Sequence, residues 1–312
     1  MSSIVTSPSL LDGISIAAQI KSELGAKVAA ARERGYVPGL AVVLVGEVPA
    51  SQIYVRSKVK TCAELGIYSE MHTPSASATT EELLALVASL NAREEIDGIL
   101  IQLPLPAHVD TSRLLEAVTP QKDVDGFHPI NAGRLLSGFP MEEILAPCTP
   151  AGIMEILWRS KIPIRGKRAV VIGRSNIVGK PAAAMLINAS ATVTVCHSQT
   201  ADLGAVTREA DILIAAIGKA GLVTADMVRP GATIIDVGMN RISTEEELQR
   251  FFPGDPVRRA AFDKRGATLM GDVDPAAFAI SGAYTPVPGG VGALTIAMLM
   301  SNTVKAARLR RG

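Results

Sequence analysis

From Asp12 to about Arg34, apolar Ile16, Ile20, Leu24 and Val28 recur at helical spacing, which predicts a helix capped by Asp12 and ended by Gly35. The period then changes. Leu40 to Val45 is a short run rich in valine between Gly39 and Gly46 and reads as a strand buried on both faces. A helix from about Ala50 to Glu64, stopped by Gly66, leads to a short strand near Ile67 to His72. Thr79 or Thr80 caps a further helix carrying Leu83, Leu84, Leu86, Val87 and Leu90, and Gly98 to Leu103 forms the next strand. This β-α-β-α-β order implies a parallel sheet covered by helices.

Between Pro104 and Pro150 prolines and glycines are dense, so loop and short helix are expected, with a domain boundary near Pro147. A second cycle follows: helix from about Ala151 to Ser160, strand Arg168 to Ile172, helix from about Val178 to Asn188, and strand Thr192 to Cys196. Strands at Asp211 to Ala216 and Thr233 to Val237 extend it, the element order of a doubly wound nucleotide-binding sheet. Ser243 to Gly266 is charged and reads as an irregular surface excursion. The apolar stretch Ala293 to Met300 suits a packed helix, and Lys305, Arg308, Arg310 and Arg311 read as its solvated end.

Composition narrows the function. The 312 residues carry 31 basic and 30 acidic side chains, a formal charge of +1, which removes the basic field that nucleic acid or an anionic membrane surface requires. One Trp, four Tyr and six Phe are too few for a base-stacking platform. No apolar run approaches a membrane span, and the opening MSSIVTSPSLLDG has neither a basic nor an apolar leader region, so a soluble, unprocessed protein is expected. Cys62, Cys148 and Cys196 are widely spaced and odd in number, which fits the reducing cytoplasm better than a disulfide framework or a zinc site.

Five stretches carry candidate chemistry. The turn from Val171 to Pro181, with Gly173, Arg174 and Ser175, is either an ordinary glycine turn or a place where pyrophosphate meets a helix N-terminus. The strand after it ends at Ser198 without an acidic residue for a ribose 2′-OH, while Arg174 and Ser198 supply groups that suit a 2′-phosphate, so NADP is favoured over NAD. Ser51, Tyr54 and Lys58 share one helix face, either an exposed face or one where a poorly solvated lysine shuttles a proton. The same YxxxK spacing occurs in short-chain dehydrogenases, but there the glycine-rich turn precedes it, the reverse of the order here. Gln102 interrupts an apolar strand near its C-terminal end, where it either pairs with backbone or positions a neighbour. Asp123 and Asp125, two apart in extended chain, point to one side or form a polar turn. Pro286 to Gly292 is a rigid linker or a surface against which a flat ring can lie. The four histidines lack metal-ligand spacing, and no metal is expected.

Together, YVRSK, GILIQLPLP, KDVDGFHP, PCTP, VVIGRSNIVGKP, CHSQT, DVGMN, GDVD and TPVPGGVG resemble the bifunctional methylenetetrahydrofolate dehydrogenase / methenyltetrahydrofolate cyclohydrolase family, in that family's order. The resemblance implies two α/β domains with a cleft between them, the second Rossmann-like. Its terminal helix returns to the first domain, which gives 1–147 plus 286–312 for folate and catalysis and 148–285 for NADP. It implies tetrahydrofolate derivatives as substrates: NADP-dependent oxidation of the 5,10-methylene form, then hydrolysis of the methenyl cation, serving one-carbon metabolism and purine biosynthesis. Lys58 is the implied general acid/base, Tyr54 its companion, Gln102 the residue that tunes Lys58, and Asp125 the pterin ligand. Ile101, Leu103, Pro286, Pro288, Gly289 and Gly290 complete the implied substrate site, and Gly173, Arg174, Ser175, Ser198 and Met239 the cofactor site. A homodimer paired through the nucleotide domains is implied as well. Two features depart from the family pattern: Ala293-Leu294 stands where Pro-Met is usual, and the segment after Asn240 is longer than in many relatives.

Overall fold

The computed structural model describes residues 7–46 and 49–312; residues 1–6, part of the stretch read above for a leader, lie outside them. The chain divides into two compact units, Ala17–Cys148 with Thr295–Gly312, and Met1–Ile16 with Thr149–Leu294. The opening residues group with the second unit because β1 (Ser9–Leu10) pairs in parallel with Ala283–Tyr284. After it, α1 (Gly13–Glu33) starts where the Asp12 carboxylate accepts the Ile14 and Ser15 N–H groups at 3.0 and 3.2 Å.

In the first unit β2 (Gly39–Val43), α2 (Pro49–Leu65), β3 (Tyr68–His72), α3 (Thr80–Ala92) and β4 (Gly98–Ile101) follow the expected order, with α4 (Thr111–Ala117) and α5 (Pro129–Leu136) in the proline-rich stretch. The strands form a parallel sheet in the order β3-β2-β4. Every residue of β2 is buried, as its uninterrupted apolar sequence requires. Thr79 and Glu82 form the reciprocal cap that fixes where α3 begins. At its other end the Lys122 ammonium donates to the carbonyls of Leu90, Asn91 and Arg93 at 3.1, 2.8 and 2.6 Å. Val43 lies opposite Ile101, so β2 and β4 end together, and Gln102 leaves the sheet at that edge with its N–H still on the Val43 carbonyl at 2.9 Å.

The second unit contains α6 (Cys148–Arg159), β5 (Arg168–Ile172), α7 (Gly179–Asn188), β6 (Thr192–Cys196), α8 (Leu203–Thr207), β7 (Ile212–Ala215) and β8 (Thr233–Asp236). Next come β9 (Asn240–Ile242), α9 (Glu245–Phe251), α10 (Pro256–Arg265), β10 (Thr268–Met270), β11 (Ala283–Tyr284) and the start of α11 (Val291–Arg311), which belongs to the first unit from Thr295 onward. Six parallel strands run in the order β1-β11-β8-β7-β5-β6. The direction of winding reverses at β5, between β6 and β7. Ile172 is in register with both Cys196 and Ala215, so three strands end at one level and leave a crevice where such sheets bind ligands.

Two sequence expectations give way. Ser243 to Gly266 is ordered structure: the flanking β9 and β10 pair antiparallel, and between them Thr244 and Glu247 cap α9, Asp255 caps α10, and Gly266 at φ +64° ends it. Ile242, Leu248, Phe251 and Met270 give this segment a small core of its own. The basic end of α11 is anchored within the first unit instead of solvated. Lys305 donates to the carbonyls of Met141 and Ile144 at 2.6 and 2.9 Å, and Arg310 and Arg311 both bind the fully buried Asp97 carboxylate. A buried carboxylate demands cationic partners, which run length and charge alone do not reveal.

Candidate active site and cofactor crevice

Tyr54 and Lys58 are one helical turn apart on α2. Lys58 is only 5% exposed; its Nζ donates to Gln102 Oε1 at 3.0 Å and lies 5.0 Å from the centre of the Tyr54 ring. The Gln102 amide is held by its own Nε2, which donates to the Leu103 carbonyl at 2.7 Å and so turns Oε1 toward the lysine. Burial lowers the Lys58 pKa, against the opposing pull of the Asp125 charge. Burial raises that of Tyr54, which therefore keeps its proton, and Thr295 hydrogen-bonds it. The side chain of Ser51 lies outside the described residues.

The two aspartates have different tasks. Asp123 accepts N–H groups from Gly126, Phe127 and His128 at 3.1, 3.2 and 2.8 Å and the Asn131 amide at 2.9 Å, so its carboxylate builds the turn. Asp125 has no hydrogen bond to its carboxylate among the described residues, and burial pushes its pKa up to about 7, with Lys58 opposing and Asp123 adding to the rise. An amine that loses its proton easily thus sits beside an acid that keeps its own unusually long. Buried Cys148, with Sγ 3.3 Å from the Val124 carbonyl, shares this surround, its thiol pushed up by burial and held neutral. Asn302 donates to the Val124 and Ala146 carbonyls at 2.8 Å each and ties α11 to the segments bearing both Asp125 and Cys148. Thr295, Cys148 and Asn302 carry no spacing signal that marks them in advance. Ile101 packs into the apolar core, whereas Leu103 is half-buried.

In the second unit Gly173 follows β5 at φ +126°, and a Cβ there would meet the Ala216 carbonyl oxygen at 2.3 Å. Only glycine fits both demands. Ser175 Oγ accepts the Val178 and Gly179 N–H groups at 3.2 and 3.3 Å, closing the start of α7. Gly173, Arg174, Ser175, Ser198 and Lys219 line a cavity of about 500 Å³ with no acidic residue in its wall among the described residues. Arg174 is exposed and makes no hydrogen bond or ion pair among the described residues. Met239, 58% exposed, lines a second cavity of about 260 Å³ with Pro286, Pro288, Gly289 and Gly290. No group of three or more His, Cys, Asp or Glu suited to a metal occurs among the described residues.

The chain matches the tetrahydrofolate dehydrogenase/cyclohydrolase catalytic domain over residues 11–125 and the NAD(P)-binding domain of the same family over residues 147–311. It belongs to that family. Over 303 residues it is 61% identical to the bifunctional protein FolD of Koribacter versatilis, covering 97% of this chain and 98% of that one. The bifunctional FolD structure from Campylobacter jejuni superposes with a TM-score of 0.87 at 45% identity, over 97% and 99% of the two chains. The Trypanosoma brucei dehydrogenase-cyclohydrolase, solved with NADP and an inhibitor, gives 0.86 at 37% identity over 98% and 99%.

Two buried aspartates explain the family blocks DVGMN and GDVD. Asp236, at the end of β8, accepts N–H groups from Gly238, Asp272 and Val273 at 3.1, 2.8 and 3.0 Å. Asp272 in turn accepts those of Ile217, Gly218 and Lys219 at 2.6, 3.0 and 2.8 Å, together with the Asn240 amide at 2.9 Å. Asp272 thereby shapes the loop that walls the 500 Å³ cavity at Gly173. Asp272→Ala leaves these donors unpaired, so a loss of about 3 kcal/mol in stability and a weaker dinucleotide complex are expected in urea melts and titrations. A variant matching wild type in both would remove the carboxylate from this role.

Proposed function

We propose that the protein oxidises 5,10-methylenetetrahydrofolate to the methenyl form with NADP and hydrolyses the product to 10-formyltetrahydrofolate. Family membership supports the reaction pair. The observation that carries the hydrolytic half is the buried Lys58 amine joined to Gln102 and Tyr54, with the unpaired Asp125 carboxylate acting on it.

Neutral Lys58 takes a proton from the water attacking the methenyl carbon; the resulting ammonium gives a proton to the ring nitrogen as its bond to that carbon breaks. The remaining proton of the water goes to solvent. Gln102 Oε1 fixes the direction of Nζ throughout. Asp125, with no donor on its carboxylate among the described residues, is the acceptor for the amino-pyrimidine edge of the substrate, which presents paired N–H donors. NADP, when bound, supplies the hydride acceptor for the oxidation. The residues fit it: the start of α7 faces the turn at Gly173, and Arg174 and Ser198 are the groups for a 2′-phosphate. In this reading the second unit carries the cofactor, the first carries the proton chemistry, and the Pro286–Gly290 loop contributes to folate binding.

Purified protein given methylenetetrahydrofolate should reduce NADP, and given the methenyl compound should hydrolyse it, both followed by absorbance. Absence of both activities would overturn the proposal. Arg174→Ala should weaken NADP by about tenfold or more and leave NAD nearly unchanged, the loss expected for one charged hydrogen-bonding partner. Equal losses in titrations with the two dinucleotides would place 2′-phosphate recognition elsewhere. The reading extends to a cytoplasmic homodimer, for which light scattering should give twice the 32.6 kDa chain mass.

A further inference from the structure

The segment between Asn240 and Gly271 does more than decorate the surface. On α10, the half-buried Arg258 sends its guanidinium back toward the sheet, where Nη1 donates to the Leu269 carbonyl at 2.7 Å and Nη2 to the Val287 carbonyl. The Phe252 ring lies under it, 4.6 Å from the guanidinium carbon. Its own backbone N–H is fixed by Asp255 at 3.0 Å, so the side chain leaves from the first turn of a well-capped helix.

The carbonyl that Arg258 reaches belongs to the loop lining the 260 Å³ cavity. That loop is tightly folded: Gly289 stands at φ +103°, and a Cβ on Gly290 would meet the Pro286 carbonyl oxygen at 2.5 Å. Among the described residues few other hydrogen bonds outside α11 hold it. The Gly289 carbonyl accepts the Ile14 N–H at 3.2 Å and the Gly290 carbonyl the Ala293 N–H at 3.2 Å, both long. Pro286 and Pro288 have no N–H to offer. A charged fork binding one carbonyl of the loop and one of the neighbouring strand β10 is the strongest restraint on it, because hydrogen bonds from a cation are about twice as strong as neutral ones.

We infer that Arg258 is a positioning residue that clamps the Pro286–Gly292 loop in its ligand-ready shape and so sets affinity for the folate substrate. The inference rests on the proposed role of this loop in folate binding. It gives the long excursion a purpose: α10 exists to deliver one guanidinium to Val287, with the small apolar core of the segment holding α9, β9 and β10 in place for it. Arginine is needed because its planar fork can serve two carbonyls at once, whereas lysine offers a single point donor.

The test compares wild type with Arg258→Ala and Arg258→Lys by two readouts. In ¹³C-methyl relaxation of labelled valines, Val287 should become markedly more mobile in Arg258→Ala. In steady-state assays, KM for methylenetetrahydrofolate should rise about five- to tenfold with KM for NADP and kcat nearly constant, and Arg258→Lys should fall between. An unchanged Val287 signal would overturn the clamp. A mobile Val287 with unaltered folate KM would instead overturn the loop's place in substrate binding. Equal rises in both KM values would reduce Arg258 to general support of the fold and refute its positioning role.

Discussion

Lys58→Met is expected to lower methenyl hydrolysis by about 10²–10⁴-fold, the usual contribution of a positioned acid/base, while NADP affinity stays at its wild-type value. Methionine fills the buried space of the lysine without a titratable group, so the fold is retained. The partners of Lys58 all lie in the first unit, and the cavity proposed for the cofactor is lined by residues of the second. Lys58→Arg separates proton transfer from charge: it keeps a cation near Gln102 but cannot release a proton at neutral pH. It should be as inactive as the methionine variant. Because burial lowers the Lys58 pKa, the neutral amine gains population as pH rises, so wild-type hydrolysis should climb with pH and level off below the range of an ordinary lysine. Hydrolysis at wild-type rate by either variant, followed as loss of methenyl absorbance, would remove Lys58 from the mechanism.

Much of this site could be read from residue order, and the limits have physical causes. β5 and β6 begin and end where the sequence places them, β5 because its apolar run is buried from Ala169 to Ile172 and the half-exposed β6 because alternating threonine and valine favour a pleated strand. Tyr54 and Lys58 share a face by spacing alone, but spacing cannot tell a buried amine from a solvated one; that depends on what packs over it, including Gln102 from the end of β4. Asp123 and Asp125 are equivalent by pattern, and only the turn at Gly126 shows that the first serves the backbone and leaves the second open. In the excursion after Asn240 the capping signals were legible as Thr244 with Glu247, Asp255 before Pro256, and Gly266. Charge on every side concealed the few apolar residues that make its core. Two-residue strands such as β1 and β11 have no periodicity to detect, so the pairing that joins the chain's opening to the second unit was invisible.

Asp125→Asn should raise the folate KM by at least about 100-fold at slightly alkaline pH, since two charge-assisted hydrogen bonds to the amino-pyrimidine edge become weaker or mismatched. The pH dependence gives the sharper test. Burial holds the Asp125 acid at about 7, so the carboxylate is present above that pH and is lost below it. Wild-type folate affinity should therefore be constant on the alkaline side and fall by about tenfold per pH unit on the acid side, a limb missing from the asparagine variant. A second effect follows from the coupling. The Asp125 charge favours protonated Lys58, so removing it lets the amine lose its proton more readily and moves the rise in hydrolysis to lower pH. Tighter folate binding with increasing pH and earlier onset of hydrolysis in the variant thus have one origin, the charge on one carboxylate. Parallel pH profiles of KM and kcat for wild type and Asp125→Asn would show that this carboxylate neither grips the substrate nor tunes the amine.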